Sequence, residues 1–248
     1  AEGPQWALDL AAAARIPVVL TNTVRRVAAL GTPEAFDLIV ASLDQAASDP
    51  IRLTILRAVN QSLQGRRTVD MPANWAAAAE KLLASPDADV RSQATALAVT
   101  FGDPRALAEF RQVVADPTKP LAARRDAMTS LLKARDPGLA PVLRKLLAEP
   151  ALQDAAIRGL AEYDDPESAP IVLNLYPRLA PPERRAALNM LAARPSSSKA
   201  LLAAVEAGKL AANDLSADVV RQLRNHKDAQ IDALIARVWG AARETTAD

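Results

Sequence analysis

A short motif returns about every thirty residues, and that recurrence constrains the fold more than any single residue does. Val90-Arg91-Ser92-Gln93-Ala94, Ala123-Arg124-Arg125-Asp126-Ala127, Leu152-Gln153-Asp154-Ala155-Ala156 and Glu183-Arg184-Arg185-Ala186-Ala187 are copies of one element. Ile51-Arg52-Leu53-Thr54-Ile55 is an earlier, divergent copy. Aligned on the arginine position (52, 91, 124, 153 where Gln stands, and 184), the spacings are 39, 33, 29 and 31 residues. Turn signals of one kind separate the copies: Gly31-Thr32-Pro33, Gly102-Asp103-Pro104, Arg135-Asp136-Pro137 and Asp164-Asp165-Pro166. Such a period marks a solenoid, whose units cannot bury their own apolar faces and must stack on their neighbours.

The apolar residues say what the units are made of. They are 50% of the 248 residues, yet only 3% are aromatic, so Ala, Leu and Val supply the core. Ala and Leu favour helix, and small Ala side chains let helices approach closely. Val90, Ala94, Leu97 and Phe101 fall on one face of a 3.6-residue period, and Ala123, Ala127 and Leu131 follow the same offsets. Preceding helices carry matching stripes: Phe36, Ile39, Val40 and Leu43; Leu139, Val142, Leu143 and Leu146; Val172, Leu175, Tyr176 and Leu179. Each follows an Asp-Pro or Thr-Pro pair, expected to supply an N-cap and a first helical proline. Pro141 and Pro170, each four residues beyond a repeat-opening proline, predict bent or late-starting helices, and Pro177 a shortened one.

The expected fold is therefore all-α, a right-handed α-solenoid of helical hairpins with about five to six repeats and roughly twelve helices. It is expected to be one domain over 1–248, with capping helices in 1–32, repeats in 33–195 and capping helices in 196–248. The interior break Gln64–Pro72 reads as an insertion that explains the 39-residue spacing. After Pro195 the period is lost, as suits a terminal cap.

Charge and composition exclude several functions. With 30 basic and 29 acidic residues the formal charge is +1, without the basic excess of a nucleic-acid binder. There is no cysteine, hence no disulfide, thiolate metal site or covalent haem attachment in this segment. No apolar run is long enough to span a membrane. Ala1-Glu2-Gly3-Pro4-Gln5-Trp6 has neither the charged nor the apolar region of a signal peptide. Without an initiator Met, the chain is expected to be a piece of something larger. Scattered glycines form no phosphate-cradling loop, and neither HExxH nor GxSxG occurs.

Asp87-Ala88-Asp89-Val90-Arg91-Ser92-Gln93-Ala94, with Leu97 after it, resembles the HEAT repeat family, over roughly residues 33–195. In that family an acidic turn and a Val-Arg pair open the second helix of each unit. The tail carries a second resemblance, in Arg194-Pro195, Ala200-Leu201-Leu202, Ala207-Gly208-Lys209 and Asp214-Leu215-Ser216-Ala217. Arg221-Gln222-Leu223, Val238-Trp239-Gly240 and Arg243-Glu244-Thr245 extend it. These look like the end of the HEAT region in large multidomain proteins of the planctomycete–verrucomicrobia type, described as haem-binding or membrane-bound dehydrogenases. The resemblance implies a β-propeller upstream, a cytochrome c domain downstream, and a periplasmic or cell-envelope setting. No cofactor is expected in this segment; haem c is implied only for the downstream domain.

Candidate sites are few. Stacked repeats are expected to line up Arg52, Arg91, Arg124 and Arg184 near the starts of the second helices, with Arg125 and Arg185 adjacent. Such a row suits an anionic groove partner, or a structural ladder in which each arginine bonds an acidic or carbonyl group of a neighbouring repeat. Arg125 and Arg185 read as solvated. Trp239 suits either docking to a following domain or closing the last apolar layer, and Trp6 and Trp75 read as core or capping residues. His226, the only histidine, reads as a surface residue at a helix C-terminus, and Glu162, Asp164 and Asp165 as turn and capping groups. Together these readings favour a non-catalytic protein-interaction or spacer domain, a monomer whose partners are other domains of the same chain or another protein. A free-standing HEAT scaffold and a HEAT-like nucleic-acid-binding protein are the alternatives.

Overall fold

The apolar stripes become helices whose buried faces are the ones that the 3.6-residue spacing selects. The computed structural model describes residues 3–14, 16–64 and 69–239. The helices are α1 (Pro4–Ala13), α2 (Pro17–Ala28), α3 (Pro33–Gln45), α4 (Asp49–Ser62) and α5 (Trp75–Leu83). They continue with α6 (Ala88–Thr100), α7 (Pro104–Ala115), α8 (Leu121–Lys133), α9 (Leu139–Leu146) and α10 (Pro150–Leu160). The last are α11 (Ser168–Leu175), α12 (Pro181–Ala192), α13 (Pro195–Glu206), α14 (Ala217–Arg224) and α15 (Ala229–Trp239). Among the described residues there is no strand. The repeat region supplies α3 to α12, five hairpins; with α1, α2 and α13 to α15 there are fifteen helices among the described residues, against the roughly twelve expected.

The residues group into two compact units. The first is Ala1–Gln112 with Thr129–Asp136; the second is Val113–Met128 with Pro137–Asp248, so α8 contributes to both. In the first unit α2, α4 and α6 pack side by side, and α1, α3 and α5 form a second layer against them. In the second unit α10, α12 and α14 form one layer, and α9, α11, α13 and α15 the other. Within each unit the packing of neighbouring helices is compatible with a solenoid of helical repeats. It also continues past Pro195, where the sequence period stops: α13 packs on α11, and α14 on α12.

Phe36, Ile39, Val40 and Leu43 are all buried, as are Val90, Ala94, Leu97 and Phe101. The largest wholly buried side chain in this Ala/Leu core is Trp75. Its ring meets Phe101 edge-on at 5.1 Å, and Phe101 meets Phe36 edge-on at 6.1 Å, the arrangement that the ring quadrupoles favour. Ala123 departs from the expected stripe. It is exposed, while Ala127 and Leu131 are buried and the neighbouring Arg124 is turned inward.

Helix ends follow local chemistry. Thr32 caps α3 by accepting from Ala35 N, with Pro33 in the first turn. Asp103 accepts from Arg105 N at 2.9 Å. At Asp136 and Asp165 the expected N-cap does not form, because α9 and α11 start only at Leu139 and Ser168. Pro141 and Pro170 explain this: a proline clashes with the carbonyl four residues before it, so each must fall in its helix's first turn. Pro177 likewise follows the end of α11, and a 3-10 turn spans Tyr176–Arg178. Gly31, Gly102 and Gly208 adopt φ near +70°. At the latter two the chain closes the helix with the paired backbone bonds of a left-handed C-cap, such as Asp103 N to Ala98 O at 2.9 Å. Arg135 fills the same position after α8 at φ 52°.

Candidate functional site

The arginine positions share one local geometry. Arg91 donates to the carbonyls of Ser85 and Pro86 at 2.6 and 2.9 Å, in the turn before its own helix. Arg184 donates to Pro177 O at 2.9 Å, and Gln153, which replaces arginine in its repeat, to Leu147 O at 2.7 Å. Arg124, only 5% exposed, reaches Val114 O at 2.9 Å through Nε and pairs with Glu149 at 2.8 Å. These acceptors lie near the ends of first helices, where carbonyls lack intrahelical partners. Arg52 differs. It pairs with Asp49 at 2.8 Å, and Asp49 also accepts from Ser85 Oγ at 2.8 Å. Hydrogen bonds from Arg52 and Ser85 hold the Asp49 carboxyl below the usual carboxylate range. Arg125 is exposed and donates to Ala151 O at 2.8 Å; Arg185 is exposed.

Arg184 is part of a small cluster in the second unit. Its guanidinium lies 5.6 Å from the centre of the Tyr176 ring, and the Tyr176 hydroxyl donates to Asp214 at 3.3 Å. Burial foremost, then the charge and hydrogen bond of Asp214, push the phenol up to about 12; Arg184 opposes the shift.

A set of contacts not foreseen in the sequence ties successive hairpins together through the turn aspartates. Trp75 Nε1 on α5 donates to Asp103 at 3.0 Å. Arg111 on α7 holds both carboxylate oxygens of Asp136 at 2.7 and 2.8 Å, and Asp136 is 1% exposed. Arg144 on α9 holds both oxygens of Asp165 at 3.1 and 3.0 Å and also pairs with Glu167. In each case a donor on a first helix reads the aspartate of the turn after the next second helix. The Asp-Pro recurrence pointed at these positions; the donors, one Trp and two Arg at separations of 28, 25 and 21 residues, share no pattern a scan would find.

Asp164 accepts from Ser196 Oγ on α13, and Asp165 accepts from Ser168 Oγ as well as from Arg144, so neither supplies the expected cap of α11. His226 follows the end of α14, as expected, but is only partly exposed. Its Nε2 lies 2.8 Å from Ala192 O at the end of α12 and 3.2 Å from the buried Ser198 Oγ. Since a carbonyl only accepts, Nε2 is the donor in the hydrogen bond to Ala192 O. Trp239 is 39% exposed and closes the described part of α15, and Trp6 is 51% exposed. The interior break's Gly65–Thr68, Gly240 and Arg243-Glu244-Thr245 lie outside the described residues, as does any continuation of α15.

Among the described residues no group of His, Asp and Glu is placed to hold a metal ion, and no helix is long and apolar enough to cross a membrane. A groove of about 380 Å³ beside α5 is lined by Met71, Leu83, Glu80 and Arg105, and one of similar volume is lined by residues of α11 and α13.

No family model matches the sequence, and no curated protein matches it. Among solved structures, the chain is similar to a crystal structure of an engineered protein, at 18% identity over 96% of this chain and 95% of that one. The TM-score is 0.27, which carries no argument about fold or role.

Proposed function

We propose that this chain is a non-catalytic protein-interaction and spacer domain. In this reading it holds a propeller-type catalytic domain in register with a cytochrome c domain of a larger exported, periplasmic or envelope protein. The supporting observation is that the polar side chains singled out by the repeat are spent inside the fold. Arg91, Arg124, Gln153 and Arg184 bond carbonyls at helix ends, while the turn aspartates bond the hairpins to one another. Such a scaffold offers stacked surfaces rather than a reaction centre. The tail resemblance supplies the nature of the neighbours and the compartment.

The test is to read the gene on both sides of this segment and cross-link the intact protein. Propeller-like strands before Ala1, a CxxCH motif after Asp248 and cross-links from both neighbours onto this chain are expected. A reading frame with neither module, or an intact protein without cross-links to this chain, refutes the proposal.

A further inference from the structure

The two helical layers of the first unit carry opposite charge. The layer of α2, α4 and α6 holds Arg25, Arg26, Arg52, Arg57 and Arg91 against Asp49 and Asp89, a net +3. The layer of α1, α3 and α5 holds Asp9, Glu34, Asp37, Asp44 and Glu80 against Lys81, a net −4. The second unit shows no such sorting. There the layer of α10, α12 and α14 carries five arginines against three acids, a net +2, and the layer of α9, α11, α13 and α15 carries four basic residues against Glu206 and Asp232, also a net +2. A chain with a formal charge of only +1 thus conceals one strongly polarised element.

Three arginines of the first unit are exposed on α2 and α4. Arg25 reaches from α2 to Gln61 on α4, and Arg26 beside it is exposed. One turn before Gln61, Arg57 reaches Asp89 on α6 at 2.9 Å, with the two side chains 58% and 65% exposed. An ion pair this wet is worth about 0–1 kcal/mol, so a partner's carboxylate can replace Asp89 at little cost. Guanidinium forks suit carboxylates geometrically. The three helices contain no aromatic residue, so the face has no platform on which nucleic-acid bases would stack.

We propose that the α2–α4–α6 face of the first unit, centred on Arg25, Arg26 and Arg57, docks an acidic protein segment. This rests on the interaction-domain reading and names one face and the chemistry of its partner. Complementary charge of this kind governs association rate and salt dependence more than tight affinity.

The probe is a fluorescein-labelled 20-residue polyglutamate peptide, titrated with the full chain by fluorescence anisotropy at low and physiological salt. Saturable binding is expected, weakened at least about fivefold in Arg26→Gln/Arg57→Gln. The control Arg221→Gln/Arg237→Gln removes the same charge from exposed sites of the second unit and is expected to bind as the unaltered chain does. Circular dichroism checks that both variants are folded. No binding, equal weakening in the two variants, or tighter binding of a 20-residue oligothymidylate lost in Arg26→Gln/Arg57→Gln would each overturn the proposal. If the peptide fails to bind while cross-links still join the intact protein's domains to this chain, the face is wrong and the interaction-domain reading survives; without the cross-links, both fall.

Discussion

Replacing Arg124 with alanine asks whether the arginine positions hold the fold together. The Arg124 side chain is 5% exposed, caps Val114 O at the end of α7 and pairs with Glu149. Losing a charge-assisted hydrogen bond to a buried carbonyl costs about 1.5–3 kcal/mol. The buried stem adds about 0.8 kcal/mol for each methylene. Glu149 is 38% exposed, so water resolvates it and its loss of a partner adds little. The total is about 4 kcal/mol, or a fall in Tm of roughly 10 °C for a chain of this size. Arg91→Ala removes a similar pair of carbonyl contacts from an exposed side chain and should cost about 1 kcal/mol. Arg124→Gln should recover part of the loss, since Gln153 makes the corresponding bond at 2.7 Å. Urea midpoints and thermal melts of the three variants measure these differences. If Arg124→Ala costs no more than Arg91→Ala, burial does not set the worth of these positions and the reasoning is wrong.

Trp75→Phe strips the donor from Asp103, itself 9% exposed, and should lower stability by about 2 kcal/mol in the same urea assay. Gly102→Ala meets no atom within 4 Å of the added Cβ, so its cost should be purely the left-handed backbone, about 1–2 kcal/mol. The reverse change, Lys227→Gly at φ 53° on an exposed residue, should be neutral or stabilising by up to about 1 kcal/mol. Tyr176 stays neutral in the fold up to about 12 against 10.0 for a free phenol. The folded state therefore binds more protons than the unfolded one between these values, and stability should fall as pH rises through that window. Tyr176→Phe should flatten that part of an alkaline stability profile, and an unchanged profile would count against the burial of the hydroxyl.

How far the sequence disclosed the fold depended on whether a signal was local. Stripes such as Phe36, Ile39, Val40 and Leu43 needed only the helical period, and each of those residues is buried. Late helix starts followed from Pro141 and Pro170 because proline acts on its own preceding turn. Ala123 misled because the period is fixed by Ala127 and Leu131 and says nothing about a first turn that Arg124 enters sideways. The aspartate contacts were hidden for another reason. A carboxylate beside a proline is satisfied equally well by its own backbone or by a side chain more than twenty residues away. Only packing decides between them, and at Asp136 and Asp165 packing supplied Arg111 and Arg144. The ending of the sequence period at Pro195 overstated a structural change, since α13 and α14 stack as their predecessors do. Stacking requires an apolar face of suitable width, not a repeated motif.

Gln153 separates the two kinds of arginine in this chain. It stands in the repeat register, carries no charge, and still delivers a hydrogen bond to Leu147 O. A position whose geometry is met by an uncharged amide is asking for a long donor that can reach a helix end, not for positive charge. The guanidinium of Arg124, turned inward and only 5% exposed, cannot also greet a partner. In the first unit Arg25, Arg26 and Arg57 also carry exposed positive charge, and none of them stands at the repeat position. Periodicity marks what the fold uses internally. What it offers outward is marked by asymmetry, here the sorting of charge between the two layers of the first unit.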